Sequence, residues 1–198
     1  MARRNALRLL ALAGVSLFVG GESTYAVSDF FSGFGSSSAA SLKRLNIPTS
    51  WQTTLGPQLP AYVEFLKRCK LRNIEVVQII EPHTNVRGRV HNSLPPKAIW
   101  GNIRSTLRVA DALADRLDLN PKSVISVYRS PAYNSRCPGA KSNSYHLRNN
   151  AMDIVFPCPP GKVAAMARAM RTAGLYKGGV GRYSGFTHID TRGNNVDW

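Results

Sequence analysis

Two histidines are each followed by an aspartate at a short fixed distance: His146 by Asp153, seven residues on, and His188 by Asp190, two residues on. The first spacing constrains the backbone more than any other feature. On a helix, residues seven apart are ~10 Å apart along the axis, too far to share one ion. On one uninterrupted strand, an odd spacing puts the two side chains on opposite faces. His146 and Asp153 therefore converge only if the chain bends between them. Asn149-Asn150 is the natural place, because Asn tolerates left-handed backbone. That arrangement leaves His146 on a loop and Asp153 on the strand that follows. His188 and Asp190, two apart in a strand, point to one face. If the two strands are neighbours, two imidazoles and one carboxylate meet, which is a catalytic zinc set with a fourth position open to water. The spacing alone also fits a hydrogen-bonded structural histidine, and a carboxylate buried against one of many arginines.

Composition bounds the rest. The 198 residues carry 26 Lys and Arg against 11 Asp and Glu, a formal charge of +15, with 43% apolar residues. That is enough for one core and too short for two ordinary domains. A disordered chain would be poorer in apolar residues, and three Cys are too few for a disulfide-dense scaffold. The single long apolar run, Leu9 to Val19, follows a basic stretch with Arg3, Arg4 and Arg8. It is shorter than the ~20 residues of a membrane span, so residues 1–26 read as an export signal with a cleavage site near Thr24-Tyr25-Ala26. An uncleaved anchor is the alternative. The Arg3-Arg4 pair also resembles a twin-arginine signal. Loss of 1–26 removes Arg3, Arg4, Arg8 and Glu22, leaving 23 basic and 10 acidic side chains, or +13.

Residues 27–58 begin Ser/Gly-rich and continue with Pro48 and Pro57, which reads as a linker. The folded domain is expected over 59–198. Within it the patterning predicts a helix over Ala61–Leu71 and a β-branched strand over Ile74–Ile80. A loop or hairpin follows over Glu81–Leu94, then a long helix over Pro96–Leu119. Strands are expected over Ser123–Tyr128 and Ala151–Phe156, a helix over Gly161–Leu175, and a last strand pair around Ser184-Gly185. The mixture lacks a strict βαβ period, so the class is α+β, with a small antiparallel sheet and flanking helices.

The remaining residues carry less. His83 and His91 read as surface or loop hydrogen-bonding residues, or as groups on the substrate side of a cleft. Trp51, Trp100 and Trp198 read as packing residues. Cys137 and Cys158 flank the His146–Asp153 segment. A disulfide between them would close a loop of about 20 residues, worth ~3 kcal/mol in the chain-entropy model, with Cys69 left over; three free thiols are the alternative. No zinc finger, helix-turn-helix or aromatic RNA motif accompanies the basic charge, so nucleic acid is not an expected partner.

One series of motifs points further. Val127-Tyr128-Arg129-Ser130-Pro131-Ala132-Tyr133-Asn134, Ser144-x-His146, Ala151-x-Asp153, Gly179-Val180-Gly181-x-Tyr183 and Phe186-x-His188-Ile189-Asp190 occur in order, with Arg192-Gly193 and Trp198 behind them. The series closely resembles the zinc D-Ala-D-Ala peptidases: D,D-carboxypeptidases, D,D-dipeptidases and wall-cutting phage endolysins. It is strong over Ser123–Trp198, weaker back to Ile74, and nothing before Leu59 resembles that domain. The resemblance implies the hedgehog/D,D-peptidase fold. It implies zinc held by His146, Asp153 and His188, and substrate contacts from Arg129, Ser144 and Tyr183. The implied activity is hydrolysis of peptidoglycan stem or cross-link peptides by a zinc-activated water, in an exported periplasmic or wall-associated enzyme.

Two positions depart from the family. Asn149 replaces a glycine, and Gly185 stands where many members carry the carboxylate base. Asp190 is the nearest acidic alternative, either as base or as a group orienting His188. A non-catalytic wall- or peptide-binding module with a structural zinc is the alternative function, and a metal-free basic structural protein is a third.

Overall fold

The computed structural model of the protein describes residues 40–198. The expected export signal and the expected linker up to residue 39 lie outside the described residues. Among the described residues, no helix is long and apolar enough to cross a membrane.

A helical turn over 40–44 leads into α1 (Thr49–Leu55), α2 (Leu59–Lys67) and α3 (Val76–Ile80). Leu42, Ile47 and Leu55 are buried in the same apolar cluster as Leu59, Tyr62 and Leu66. The core thus extends upstream of Leu59, where the sequence placed the domain boundary. The Pro residues there only punctuate short helices: Pro48 is the N-cap of α1, and Gly56 ends it at φ 72°.

The segment expected as the strand Ile74–Ile80 is helical instead. Glu75 and Gln78 form a reciprocal capping box at the start of α3, and Ile79 and Ile80 are buried. Two satisfied backbone donors and buried apolar side chains outweigh the weak β preference of Ile and Val. A 3-10 turn over Glu81–Thr84 and a two-stranded hairpin, β1 (Val86–Arg87) and β2 (Val90–His91), follow. The long expected helix divides into a 3-10 segment, Lys97–Asn102, and α4 (Ile103–Leu117). Asp118, at φ 53°, ends α4.

The sheet is built from β3 (Ser123–Ser126), β4 (Ala151–Val155), β5 (Gly179–Arg182), β6 (Thr187–Asp190) and β7 (Val196–Asp197), in the order β3-β4-β6-β5-β7. All neighbours are antiparallel except β5 and β7. A one-turn helix, α5 (Pro131–Asn134), follows β3, and α6 (Pro160–Thr172) follows β4. Helices α4 and α6 pack on each other and on the sheet. The class is α+β, as expected.

Alternation sorts the sheet into two faces. Met152, Ile154, Ile189 and Val180 are fully buried in the apolar core. Their neighbours Asp153, His188 and Gly181 point the other way and form one row across three strands, since Asp153 pairs with His188 and His188 with Gly181. A bulge in β3 extends this row. Val124 pairs with Ile154, but Ser126 pairs with Asp153, so Ile125 is the extra residue. Without it Ser126 would fall on the core face.

Candidate metal centre

His146 reaches the row from outside the sheet. It lies on a 3-10 turn, Tyr145–Arg148, whose N-cap Ser144 accepts the His146 N–H through Oγ. Asn149 ends the turn at φ 53°, and β4 begins two residues later. The bend is where the spacing required it. Asn149 takes the left-handed conformation that a glycine would supply. It is fully buried, and its side-chain amide donates to the Ile99 carbonyl.

Three atoms converge: His146 Nε2, Asp153 Oδ1 and His188 Nδ1. Their separations are 3.2 Å between the carboxylate oxygen and Nε2, 2.8 Å between the oxygen and Nδ1, and 3.2 Å between the nitrogens. A tetrahedral zinc with ligands at about 2.0–2.1 Å sets ligand atoms about 3.3–3.4 Å apart. The two 3.2 Å pairs need about 0.1–0.2 Å of expansion to fit and the 2.8 Å pair about 0.5–0.6 Å. All three residues are buried, and together they could hold a metal ion.

The groups behind the ligands fix which atoms face inward. His146 Nδ1 is 2.5 Å from the Val127 carbonyl. A carbonyl only accepts, so Nδ1 carries the proton and Nε2 presents its lone pair. His188 Nε2 lies 2.9 Å from Asp190 Oδ2, which leaves Nδ1 facing inward. Arg129 takes the other oxygen of Asp153, Oδ2, with Nη2 at 2.5 Å, while its Nε donates to Ser126 Oγ at 2.7 Å. The bulge in β3 thus positions the serine that aims the arginine. Such outer contacts orient ligands and raise their basicity.

Electrostatics separate the two rings. Burial lowers the His146 pKa and outweighs the pull of Asp153. Burial also opposes the charged form of His188, but hydrogen bonds to Asp153 and Asp190 raise its pKa overall. For Asp153, burial favours the neutral acid, yet the two rings hold the carboxyl well below the usual range. Asp153 thus stands as an ionised carboxylate beside two imidazole rings, a donor combination that suits zinc.

Asp190 does not reach the pocket as a base would. It is fully buried. Its Oδ2 faces His188, Arg192 donates to both oxygens, and the Gly179 N–H donates to Oδ1 at 2.9 Å. These contacts are of the kind that orients a ring such as His188, and Asp190 is not among the residues that line the pocket.

The row opens into a pocket of about 480 Å³. Arg129, Ser144 and Tyr183, the expected substrate contacts, all line it with the three ligand residues. Asp153 is the one carboxylate among the lining residues, against the cations Arg129, Lys141 and Arg192. Trp198, read from the sequence as a packing residue, is also in the wall. It is 44% exposed, and its ring lies 5.1 Å from that of His188. The signal for it was the Gly179-Val180-Gly181 alternation: two glycines on one strand face leave room for large groups. A Cβ on Gly181 would come within 2.5 Å of the Trp198 indole, and one on Gly179 within 2.4 Å of Asp190 Oδ2.

Two further expectations are corrected. The three cysteines are free thiols. The Cys137 thiol donates to the Tyr133 carbonyl after α5, whereas Cys158 packs on the apolar core, so the two are engaged separately. His83 is a fully buried core residue, edge-on to Tyr62 with ring centroids 5.6 Å apart. Its Nδ1 bonds the Ile80 carbonyl, and burial holds its pKa down to about 4. His91 is exposed, and neither histidine lines the pocket.

A family model described as Peptidase M15 matches residues 74–190. No curated protein and no solved structure matches the chain.

Proposed function

The chain belongs to the Peptidase M15 family, and from that premise we propose that it is an exported zinc peptidase that hydrolyses peptide bonds in peptidoglycan stems or cross-links, on a hedgehog/D,D-peptidase-like fold. The observation that carries the reading is the convergence of His146 Nε2, Asp153 Oδ1 and His188 Nδ1 at the floor of an open pocket. Bound there, zinc would supply Lewis acidity to a peptide carbonyl and acidify a water from a pKa of 15.7 toward about 7.

The chain's own groups do the rest. Val127 and Asp190 hold the two imidazoles in the tautomers that ligation needs. Arg129 turns Asp153 so that Oδ1 faces inward, and its guanidinium lines the pocket within reach of a substrate carbonyl or carboxylate. Arg129, Lys141 and Arg192 against one carboxylate favour a substrate bearing carboxylates, as wall peptides do. The basic charge suits an anionic wall, and the basic-apolar start over 1–26 supports export.

The test is digestion of purified peptidoglycan by the zinc-loaded protein, followed by mass spectrometry. New D-Ala-terminated or released fragments, lost in His146→Ala, are expected. Zinc binding with no new fragment would contradict the peptidase. It would favour the second reading, a wall-binding module, which the lack of a second carboxylate among the lining residues supports. Retained binding to sedimented wall would identify that module.

A further inference from the structure

Trp198 is held through both its backbone and its indole although it is half exposed. Its backbone joins the edge of β5: the Arg182 N–H donates to the Trp198 carbonyl at 2.9 Å, and the Trp198 N–H donates to Val180 at 3.3 Å. Its indole occupies the space that a side chain at Gly181 would fill. The Arg192 guanidinium sits 5.1 Å from the ring. So held, the indole Nε1–H donates to the Tyr183 hydroxyl at 2.8 Å. The Tyr183 ring is itself stacked on Phe186, with centroids 4.4 Å apart.

The chemistry of this bond has a direction. An indole N–H is a donor and never an acceptor, while a phenol is both. Trp198 therefore occupies a lone pair of the Tyr183 oxygen and cannot take its proton. Among the described residues no group accepts that proton, and Tyr183 lines the pocket.

We propose that Tyr183 is a directed hydrogen-bond donor to a substrate oxygen, and that Trp198 is the positioning residue that makes it one. The oxygen is a carbonyl or carboxylate of the peptide next to the bond being cut, because the Trp198 ring stands 5.1 Å from that of the ligand His188. The identity of that oxygen rests on the peptidase reading; the donor itself does not.

The experiment uses the full chain and a synthetic stem peptide ending in D-Ala-D-Ala. Its affinity for the metal-free protein is measured by calorimetry, and its turnover by the zinc-loaded protein, for the wild type, Tyr183→Phe, Trp198→Phe and the double variant. A neutral hydrogen bond corresponds to about five- to tenfold in affinity. Tyr183→Phe is expected to weaken binding by about that factor, and Trp198→Phe by less. The double variant is expected to be no weaker than Tyr183→Phe. Gly181→Ala, which displaces the indole, is expected to match Trp198→Phe. In Tyr183→Phe the Trp198 indole proton resonance should move, as it loses its acceptor.

Multiplying effects, or a Tyr183→Phe protein that binds like the wild type, would overturn the donor even if the peptide is cleaved. The expected pattern in binding with no cleavage by the zinc-loaded wild type would sink the peptidase reading and leave the donor standing. Neither binding nor cleavage would overturn both.

Discussion

Asp190 and Arg129 each contact a residue of the His146, Asp153 and His188 group. Asp190 accepts from His188 Nε2, and Arg129 binds the outer oxygen of Asp153. Asp190→Asn replaces one oxygen with an amide that cannot accept from Arg192. Loss of such a partner typically lowers metal affinity about 10–100-fold. That loss is expected here in a competition titration with a zinc-binding dye. A base facing the substrate would instead leave zinc affinity unchanged and reduce turnover alone. At this scale much was legible in advance. The spacing of His146, Asp153 and His188 allowed a metal set, the resemblance to the zinc D-Ala-D-Ala peptidases singled it out, and the need for a bend near Asn149 followed from backbone geometry. What could not be read was the direction of each ring. That depends on Val127 and on the neighbouring strands, which no local pattern displays.

Elements bring these residues together through register. Three antiparallel strands align Asp153, His188 and Gly181, and one inserted residue in β3 brings Ser126 into line. Strands β4, β5 and β6 were legible because their apolar residues alternate with site residues. The bulge was not, since an extra residue leaves no mark in a four-residue strand. Helix α3 is hidden for a related reason: its Ile and Val content suits a strand, and the Glu75–Gln78 capping box that favours the helix is a single pair of residues. Gln78 supports α3 twice, accepting the Glu75 N–H and donating to the Pro121 carbonyl. Gln78→Ala is expected to lower stability by about 0.5–2 kcal/mol, measured by urea unfolding. An unchanged midpoint would show that apolar burial alone holds α3.

The whole molecule joins a helical N-terminal layer to the sheet that carries the site. The Ser/Gly-rich start of the linker obscured how far that layer extends, because Leu42, Ile47 and Leu55 are too sparse to give a periodic signal. His83 lies inside the layer and links its stability to pH. Its pKa is about 4 in the folded protein, against about 6.5 in an unfolded chain. Between these values the unfolded state binds more protons, so stability rises with pH there and is lost as pH falls from 6.5 toward 4. The group is fully buried, and the loss on this account amounts to roughly 3 kcal/mol at most. His83→Phe keeps a ring against Tyr62 and is expected to flatten the dependence of urea midpoint on pH in this window. An unchanged slope would assign acid sensitivity to other groups.

His146 Nε2, Asp153 Oδ1 and His188 Nδ1 are placed to hold one metal ion together. Zinc K-edge X-ray absorption on the full-length protein tests it most directly. One zinc per chain is expected, coordinated by two imidazole nitrogens and at least one carboxylate oxygen, with loss of the bound metal in His188→Ala. A shell containing sulfur, or full zinc occupancy in His188→Ala, would contradict it.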